Sequence, residues 1–221
     1  MLRRIGAKLL FKTAGRFNRQ LLPHPQFAIK KGYHHAASAE AFDDTINTDE
    51  WQRPVYELAA SLAKQQLQPV VIDIGCGSAF KLMQLLGQYD SIGIEIEPTY
   101  TWLKRTYPTR KWKLFSETDP ATLHADLVIC SDIIEHLRNP DELMRFLSQM
   151  SFHRAVISTP ERDAVAGVGD YGPPGNTTHY REWSKDEFRN YVQAWFDVIE
   201  QHIFSDKSIT QIVICQKKQF K

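Results

Sequence analysis

The residues with the clearest capacity for chemistry lie in one short segment, Asp132-Ile133-Ile134-Glu135-His136, which follows an apolar run. If this segment is helical, Asp132, Glu135 and His136 occupy positions i, i+3 and i+4 and share one face. Two carboxylates and an imidazole on one face can hold a divalent ion. A histidine can also act alone as a general base, because its ordinary pKa lies near ~6.5. A second histidine, His179, lies in a later glycine-rich segment and is a candidate for the same site.

A second group of candidate residues is the loop Asp73-Ile74-Gly75-Cys76-Gly77, which also follows an apolar run. Glycines at this place let the backbone turn sharply and approach a ligand. The dinucleotide-binding fingerprint needs a third glycine at the sixth position, which here is Phe80. Asp73 places a negative charge beside the ligand, which favours a cation over a pyrophosphate.

Acidic and polar residues end the next apolar runs in the same way. Glu95 ends the second run, where an acid can accept hydrogen bonds from both hydroxyls of a ribose. Ser131 ends the run ADLVICS and Asp132 follows it. Both should border the same ligand, because ligands of open α/β sheets bind beyond the carboxyl ends of the strands. S-adenosylmethionine, a positively charged nucleoside without phosphate, fits this pattern. The predicted cofactor-binding residues are Asp73, Gly75, Cys76, Gly77, Glu95, Ser131 and Asp132.

These candidates must be positioned by alternating strands and helices, a pattern typical of a doubly wound α/β domain with a mostly parallel sheet. The predicted strands are Pro69–Ile74, Ser91–Ile96, Lys111–Phe115, Ala125–Ser131, His153–Ser158, Phe196–Phe204 and Ile209–Gln216. The predicted helices cover Ala79–Leu86, a segment opened by Pro98, Asp141–Met150, and Lys185–Trp195. Ser184 and Glu187 have the spacing of a capping box before the last helix. The last two strands predict an antiparallel pair with residues 206–208 in the turn.

In order and spacing, the D-x-G-x-G loop, the acid after the second strand and the segment ADLVICSDIIEHL resemble class I S-adenosylmethionine-dependent methyltransferases. The resemblance covers about Val70 to Gln216. It implies a Rossmann-like, seven-stranded, mostly parallel sheet with one antiparallel strand, and the transfer of a methyl group from S-adenosylmethionine. Ala79 departs from the family, which usually has a third glycine there.

The histidine-containing segments resemble two narrower groups, the ubiquinone-pathway O-methyltransferases and the enzymes that methylate the 3′-terminal ribose of small RNAs. In the second group, an acid-x-x-Glu-His segment and a later histidine hold a divalent metal against two adjacent hydroxyls. The resemblance implies Asp132, Glu135, His136 and His179 as metal ligands. A separate possibility is that His136 or His179 acts alone as the catalytic base. Asp132 replaces a glutamate of that group, and His179 is closer in sequence than its counterpart. Glu-His also occurs at this position in methyltransferases without a metal.

The segment before Ser184 is longer than connections in compact domains usually are. ISTPERD and GDYGPPGNTTHYREWSKDEF resemble a bacterial subgroup associated with cell-surface glycans. Groups that a sugar site needs are offered by Tyr171, Asn176, His179, Tyr180, Arg181 and Trp183. The alternative is a packed loop in which Tyr180 and Trp183 fill the core. The expected acceptor is a hydroxyl of a sugar, a glycan or a small molecule. The alternatives are a phenolic or quinone precursor, or a non-catalytic cofactor-binding partner in a glycan-assembly complex.

Composition limits the partners and the compartment. The net charge is +1, so nucleic acid is not an expected partner. The three cysteines are far apart and lack zinc-ligand spacing, which favours a reducing cytoplasm over an oxidising compartment. We predict an N-terminal helical extension over residues 1–50 and a methyltransferase domain over residues 51–221.

The N-terminal residues 2–22 have the pattern of a basic amphipathic helix. Basic residues recur on one face: Arg4, Lys8, Lys12, Arg16 and Arg19. Such a helix can lie on an anionic membrane surface, which predicts a peripheral contact with the inner face of the membrane. The alternative is a helix that covers the domain with a solvated basic face.

If residues 2–22 meet anionic lipid, each basic residue contributes ~1 kcal/mol at low salt. Association with anionic vesicles, measured by sedimentation, should then fall as the salt concentration rises, while neutral vesicles bind little. Equal partitioning onto neutral and anionic vesicles, or none onto either, would contradict the membrane contact.

Overall fold

The computed structural model describes residues 25–41, 43–205 and 208–218. The predicted basic helix over residues 2–22 lies outside these ranges, as do turn residues Asp206 and Lys207. Within the described residues, no helix combines the length and the apolar character needed to cross a membrane.

The described residues form a seven-stranded sheet with the order β3-β2-β1-β4-β5-β7-β6. The strands are β1 (Val70–Ile74), β2 (Asp90–Glu95), β3 (Lys111–Leu114), β4 (His124–Cys130), β5 (Ser151–Pro160), β6 (Asp197–Ser205) and β7 (Ile209–Gln216). Strands β1 to β5 pair in parallel, and β7 is antiparallel to both β5 and β6. The predicted fold class is confirmed, including the antiparallel strand.

Six α-helices accompany these strands in the described part of the chain: α1 (Arg53–Ala63), which precedes β1, α2 (Phe80–Leu86), α3 (Thr99–Thr106), α4 (Asp141–Gln149), α5 (Arg162–Ala166) and α6 (Lys185–Trp195). The sequence predicted α2, α3, α4 and α6, whereas α1 and α5 were not anticipated. The capping box before α6 is present, and the Ser184 backbone N–H donates to the Glu187 carboxylate over 2.9 Å.

Both faces of the central strands are apolar, which is why the sheet is covered on both sides. On one face, Ile72, Val128 and Ile157 pack in a cluster with residues of α4 and α6. On the other, Val71 and Ile129 pack in a cluster with residues of α1 and α2. The two clusters fix the strands, and with them the loops at the carboxyl edge.

Residues 34–40 run beside the long loop that follows α5. The backbone N–H of His34 donates to Tyr171 O over 2.7 Å, and that of Ala36 donates to Tyr180 O over 2.9 Å. The described residues before α1 contain a 3₁₀ helix at Pro25–Ala28 and are otherwise irregular. The boundary between an N-terminal extension and the methyltransferase domain at residue 50 stays a prediction. The hydrogen bonds of His34 and Ala36 join the segment before α1 to the loop that carries His179.

Replacing Gly172 should loosen this contact. Gly172 has a φ of +68°, and a Cβ there would collide with the His34 carbonyl oxygen. Gly172→Ala should therefore lower the free energy of unfolding by about 1–3 kcal/mol in urea titrations. Gly169→Ala is the matched control, because a Cβ there meets nothing within 4 Å, and it should change stability by less than about 0.5 kcal/mol. Equal stability of the two variants would contradict this account.

Candidate active site

The glycine loop after β1 requires glycine at two positions. Gly75 and Gly77 have φ values of +68° and +53°, in the left-handed region that favours glycine. A Cβ on Gly75 would also collide with the Ile133 side chain. The loop therefore packs directly against the segment that contains Glu135 and His136. Ala79, at the family's third glycine position, is left-handed as well, with a φ of 56°.

Asp73 lies at the base of this loop and is fully buried. Its Oδ2 accepts a hydrogen bond from the Tyr56 hydroxyl over 3.0 Å, whereas its Oδ1 is buried without a partner among the described residues. Burial raises the pKa of Asp73 to about 7, although the Tyr56 hydroxyl opposes the rise. The unpaired oxygen is suited to a donor or a cation from a ligand.

Glu95 is the last residue of β2, and two backbone N–H groups hold its carboxylate in place. Its Oε1 accepts from the Gly77 N–H over 2.9 Å, and its Oε2 accepts from the Ile96 N–H over 2.7 Å. Burial raises the pKa of Glu95, while these two hydrogen bonds lower it. Its carboxylate is thus fixed beside the glycine loop, where the sequence placed a ribose-binding acid.

Cys76, Ser131 and Asp132 make mainly internal contacts. Cys76 is buried, and burial raises the pKa of its thiol. The Ser131 hydroxyl lies 3.2 Å from the Ser158 hydroxyl. Ser158 Oγ in turn donates to Asp132 Oδ1 over 2.6 Å, so these residues tie the end of β4 to β5.

The prediction that Asp132 shares a helical face with Glu135 and His136 is wrong. Asp132 has a φ of 50°, and the 3₁₀ helix Ile134–His136 begins after it. A residue in the left-handed region cannot continue a right-handed helix. Asp132 therefore faces Ser158 and Thr210, and it is not part of the cluster formed by the other three predicted ligands.

Glu135, His136 and His179 do come together. One ligand atom from each lies within 4.8 Å of the others. The two imidazole rings meet edge to face, with their centroids 4.7 Å apart. Glu135 and His136 follow β4 and His179 lies on the loop after α5, so two segments from one edge of the sheet build the cluster.

Each imidazole in the cluster is oriented by an oxygen on its Nδ1 side. His136 Nδ1 lies 2.9 Å from Thr178 O and therefore carries the proton, because a carbonyl oxygen can only accept. His179 Nδ1 lies 2.6 Å from the Glu182 carboxylate, and its Nε2 lies 3.1 Å from the Asn176 amide nitrogen. Histidines that bind metals usually donate their other N–H to a carbonyl or a carboxylate in this way.

Glu135 is fully buried with half of its carboxylate unsatisfied. Its Oε2 accepts from the Thr159 hydroxyl over 3.0 Å, and its Oε1 is buried without a partner in the described part of the chain. Burial raises the pKa of Glu135 well above its usual range, and the nearby charge of Asp132 adds to this effect. Burial, together with His179, lowers the pKa of His136 to about 4, so this imidazole is neutral at pH 7. A carboxylate with two imidazoles is a donor set that fits a divalent ion of borderline hardness.

The long loop places the predicted sugar-binding residues in two environments. Trp183 is fully buried and stacks on Tyr191, with centroids 5.6 Å apart. Arg181 is 2% exposed and donates to the Leu137 carbonyl oxygen. Both residues are part of the packed interior, which for Trp183 is the alternative of a packed loop. Tyr171 remains half exposed on the surface.

Two residues that support the site were missed in the sequence. Tyr56 lies on α1 and donates a hydrogen bond to Asp73. Glu182 lies three residues after His179 and orients its imidazole. The signals for α1 were Pro54 in its first turn and the buried spacing of Val55, Ala59 and Ala63.

The sheet order, the antiparallel β7 and the glycine loop after β1 together define the class I methyltransferase fold. A family model described as a methyltransferase domain, Methyltransf_23, matches residues 45–215, and the chain belongs to this family. S-adenosylmethionine is the cofactor, in keeping with solved structures of this fold that hold it or its product. That the glycine loop, Asp73 and Glu95 bind it stays a prediction. No curated protein shows significant sequence similarity to the chain.

Several solved structures share this fold at low sequence identity. Magnesium protoporphyrin IX methyltransferase from Synechocystis PCC 6803, with bound S-adenosylhomocysteine, is 18% identical with a TM-score of 0.56, covering 76% of this chain and 83% of that one. The 1,6-didemethyltoxoflavin-N1-methyltransferase of Burkholderia thailandensis is 17% identical with a TM-score of 0.55, and the match covers 76% of this chain and 78% of that one. The small RNA methyltransferase HEN1 is 19% identical with a TM-score of 0.59, covering 83% of this chain and 27% of that one.

The raised pKa of Asp73 predicts a pH dependence of cofactor binding. Asp73 binds a proton in the free protein below about pH 7, whereas a cationic ligand favours the carboxylate. Affinity for S-adenosylmethionine should therefore rise with pH, by roughly eightfold from pH 6 to pH 7.5 if one proton is released on binding. Isothermal titration calorimetry at several pH values measures this. Asp73→Asn should bind more weakly and lose the trend, and a flat profile for the wild-type protein would contradict the assignment.

Proposed function

We propose that the protein transfers the methyl group of S-adenosylmethionine to a hydroxyl of a sugar or glycan, beside a divalent ion held by Glu135, His136 and His179. The observation that carries this proposal is the Glu135 Oε1 atom, buried and unpaired among the described residues, in a cluster with two oriented imidazoles. The position of the cluster supports its role, because Ile133 contacts the glycine loop.

Methyl transfer depends mainly on positioning, because the attacking oxygen, the methyl carbon and the sulfur must lie nearly in line. S-adenosylmethionine supplies an activated methyl group on a sulfonium. A divalent ion at the cluster would bind two adjacent hydroxyls and lower the pKa of one. The protein's own part is to hold the donors rigidly. Thr159 fixes Glu135, while Thr178 and Glu182 fix the two imidazoles.

A sugar is the favoured acceptor because it offers neighbouring hydroxyls and suits the polar loop near His179. Tyr171 is half exposed on this loop, and Asn176 is exposed beside His179. The net charge of +1 supports a small molecule or a glycan over nucleic acid. A catechol-like precursor also has two adjacent hydroxyls and is the second candidate acceptor. The assay therefore compares a sugar diol with a catechol.

We also propose that residues 2–22 contact an anionic membrane, which would bring a cytoplasmic enzyme to acceptors at its inner face. The basic pattern Arg4, Lys8, Lys12 and Arg16 supports this contact. The salt dependence of vesicle binding decides it independently of the catalytic assignment.

Removing the metal or one of its ligands should stop turnover without affecting cofactor binding. Chelation, or His136→Ala, should lower kcat by at least about a hundredfold, since activation of the hydroxyl is worth about that much. Transfer of labelled methyl from S-adenosylmethionine measures kcat, and calorimetry measures cofactor affinity. His153→Ala is the matched control, because His153 is exposed on β5.

The alternatives give different results in the same assay. If a histidine acts as general base without a metal, the chelator has no effect and activity falls as pH drops through the histidine pKa. If the protein is a non-catalytic cofactor-binding partner, the cofactor binds and no extract fraction accepts methyl. Either result would contradict the metal-assisted reaction.

A further inference from the structure

Residues Asp43–Glu50, here called the acidic strap, lie across the glycine loop. On one side, the Thr45 hydroxyl lies 2.8 Å from the Thr99 hydroxyl at the start of α3. On the other, the Lys81 ammonium on α2 donates to the Asp49 carbonyl oxygen over 3.2 Å. The strap is therefore attached to the helices that follow β1 and β2, on both sides of the cofactor loop.

Asp44 is the strap residue that meets the loop itself. A Cβ on Gly77 would collide with Asp44 Oδ2, so this carboxylate lies directly against the glycine. Asp44 Oδ1 is buried and has no hydrogen-bond partner among the described residues. Burial raises the pKa of Asp44, and Lys81 opposes that rise.

The strap adds a third acid to the two already described at this loop. The Asp44 charge raises the pKa of Glu95, and the Glu95 charge raises that of Asp73. Lys81 lowers the pKa of Asp44, but its ammonium is paired with Asp49. Asp44 Oδ1 and Asp73 Oδ1 are both buried and unpaired in the described structure, so two acids at this loop have an oxygen that the described residues leave unsatisfied. Like charges held together in this way favour a cationic ligand.

We propose that Asp44 is a cofactor-binding residue whose charge selects the sulfonium of S-adenosylmethionine over the neutral sulfur of S-adenosylhomocysteine. This inference rests on the cofactor site of the proposed function. The sulfonium is bonded to C5′ of the ribose. Asp44 lies against Gly77, whose backbone N–H donates to Glu95, the predicted ribose-binding acid. Methyl transfer turns the sulfonium into a thioether and removes its charge. Asp44 therefore attracts the methyl donor more strongly than the product, since Coulomb energy depends on the charge of the ligand.

The test compares both ligands in matched variants by calorimetry. Asp44→Asn removes the charge and keeps the shape, and it should raise the Kd for S-adenosylmethionine about tenfold and that for S-adenosylhomocysteine about twofold or less. Asp43→Asn is the control, because Asp43 is the exposed neighbour with the same charge, and both Kd values should stay within about twofold. Asp44→Ser repeats the charge removal if the first variant does not fold.

An unchanged ratio of the two Kd values, with or without a common loss of affinity, would overturn the role of Asp44 and leave the proposed function intact. Absence of cofactor binding by the wild-type protein would overturn the proposed function, and this inference with it. A change in the ratio that Asp43→Asn reproduces would also overturn it, because the effect would then come from the general charge of the strap.

Discussion

An ionised carboxylate buried without a partner is unfavourable, because a protein interior solvates charge poorly. Asp73 and Glu135 are both fully buried, and each has one oxygen without a partner in the described structure. The other carboxylate oxygen of Asp73 accepts a hydrogen bond from the Tyr56 hydroxyl, and that of Glu135 accepts one from the Thr159 hydroxyl. The fold thus holds two half-satisfied acids in place, and a cationic group on a ligand or an ion would complete both. The chemistry proposed here depends on that constraint.

The sheet brings the two acids to one edge. Asp73 lies on β1 and Glu135 follows β4, and these strands are hydrogen-bonded neighbours. The contact between Ile133 and Gly75 joins the segments that follow them. Because both faces of the sheet are packed, neither strand can shift to relieve its acid. The predicted cofactor-binding acid and the proposed metal ligand are therefore adjacent as a consequence of strand order.

The sequence was sufficient for the strands, for most helices and for the glycine loop, because apolar runs and glycine spacing determine these locally. Contacts that depend on tertiary packing were not predictable in the same way. A residue with a left-handed backbone conformation, such as Asp132, leaves no clear sequence signal. The prediction that Asp132 shares a helical face with Glu135 and His136 was therefore wrong. Trp183 and Arg181 have the composition of a sugar site, yet packing against Tyr191 and hydrogen bonding to Leu137 place them in the interior. Glu182 and Tyr56 emerged as partners only once distant segments were brought together.

The most direct test of the central claim is electron paramagnetic resonance of the wild-type protein titrated with Mn²⁺. We expect one tightly bound ion per chain, with nitrogen couplings from two imidazoles, one of which is lost in His136→Ala and the other in His179→Ala. A spectrum of free Mn²⁺ throughout the titration, or of a bound ion without nitrogen couplings, would contradict it.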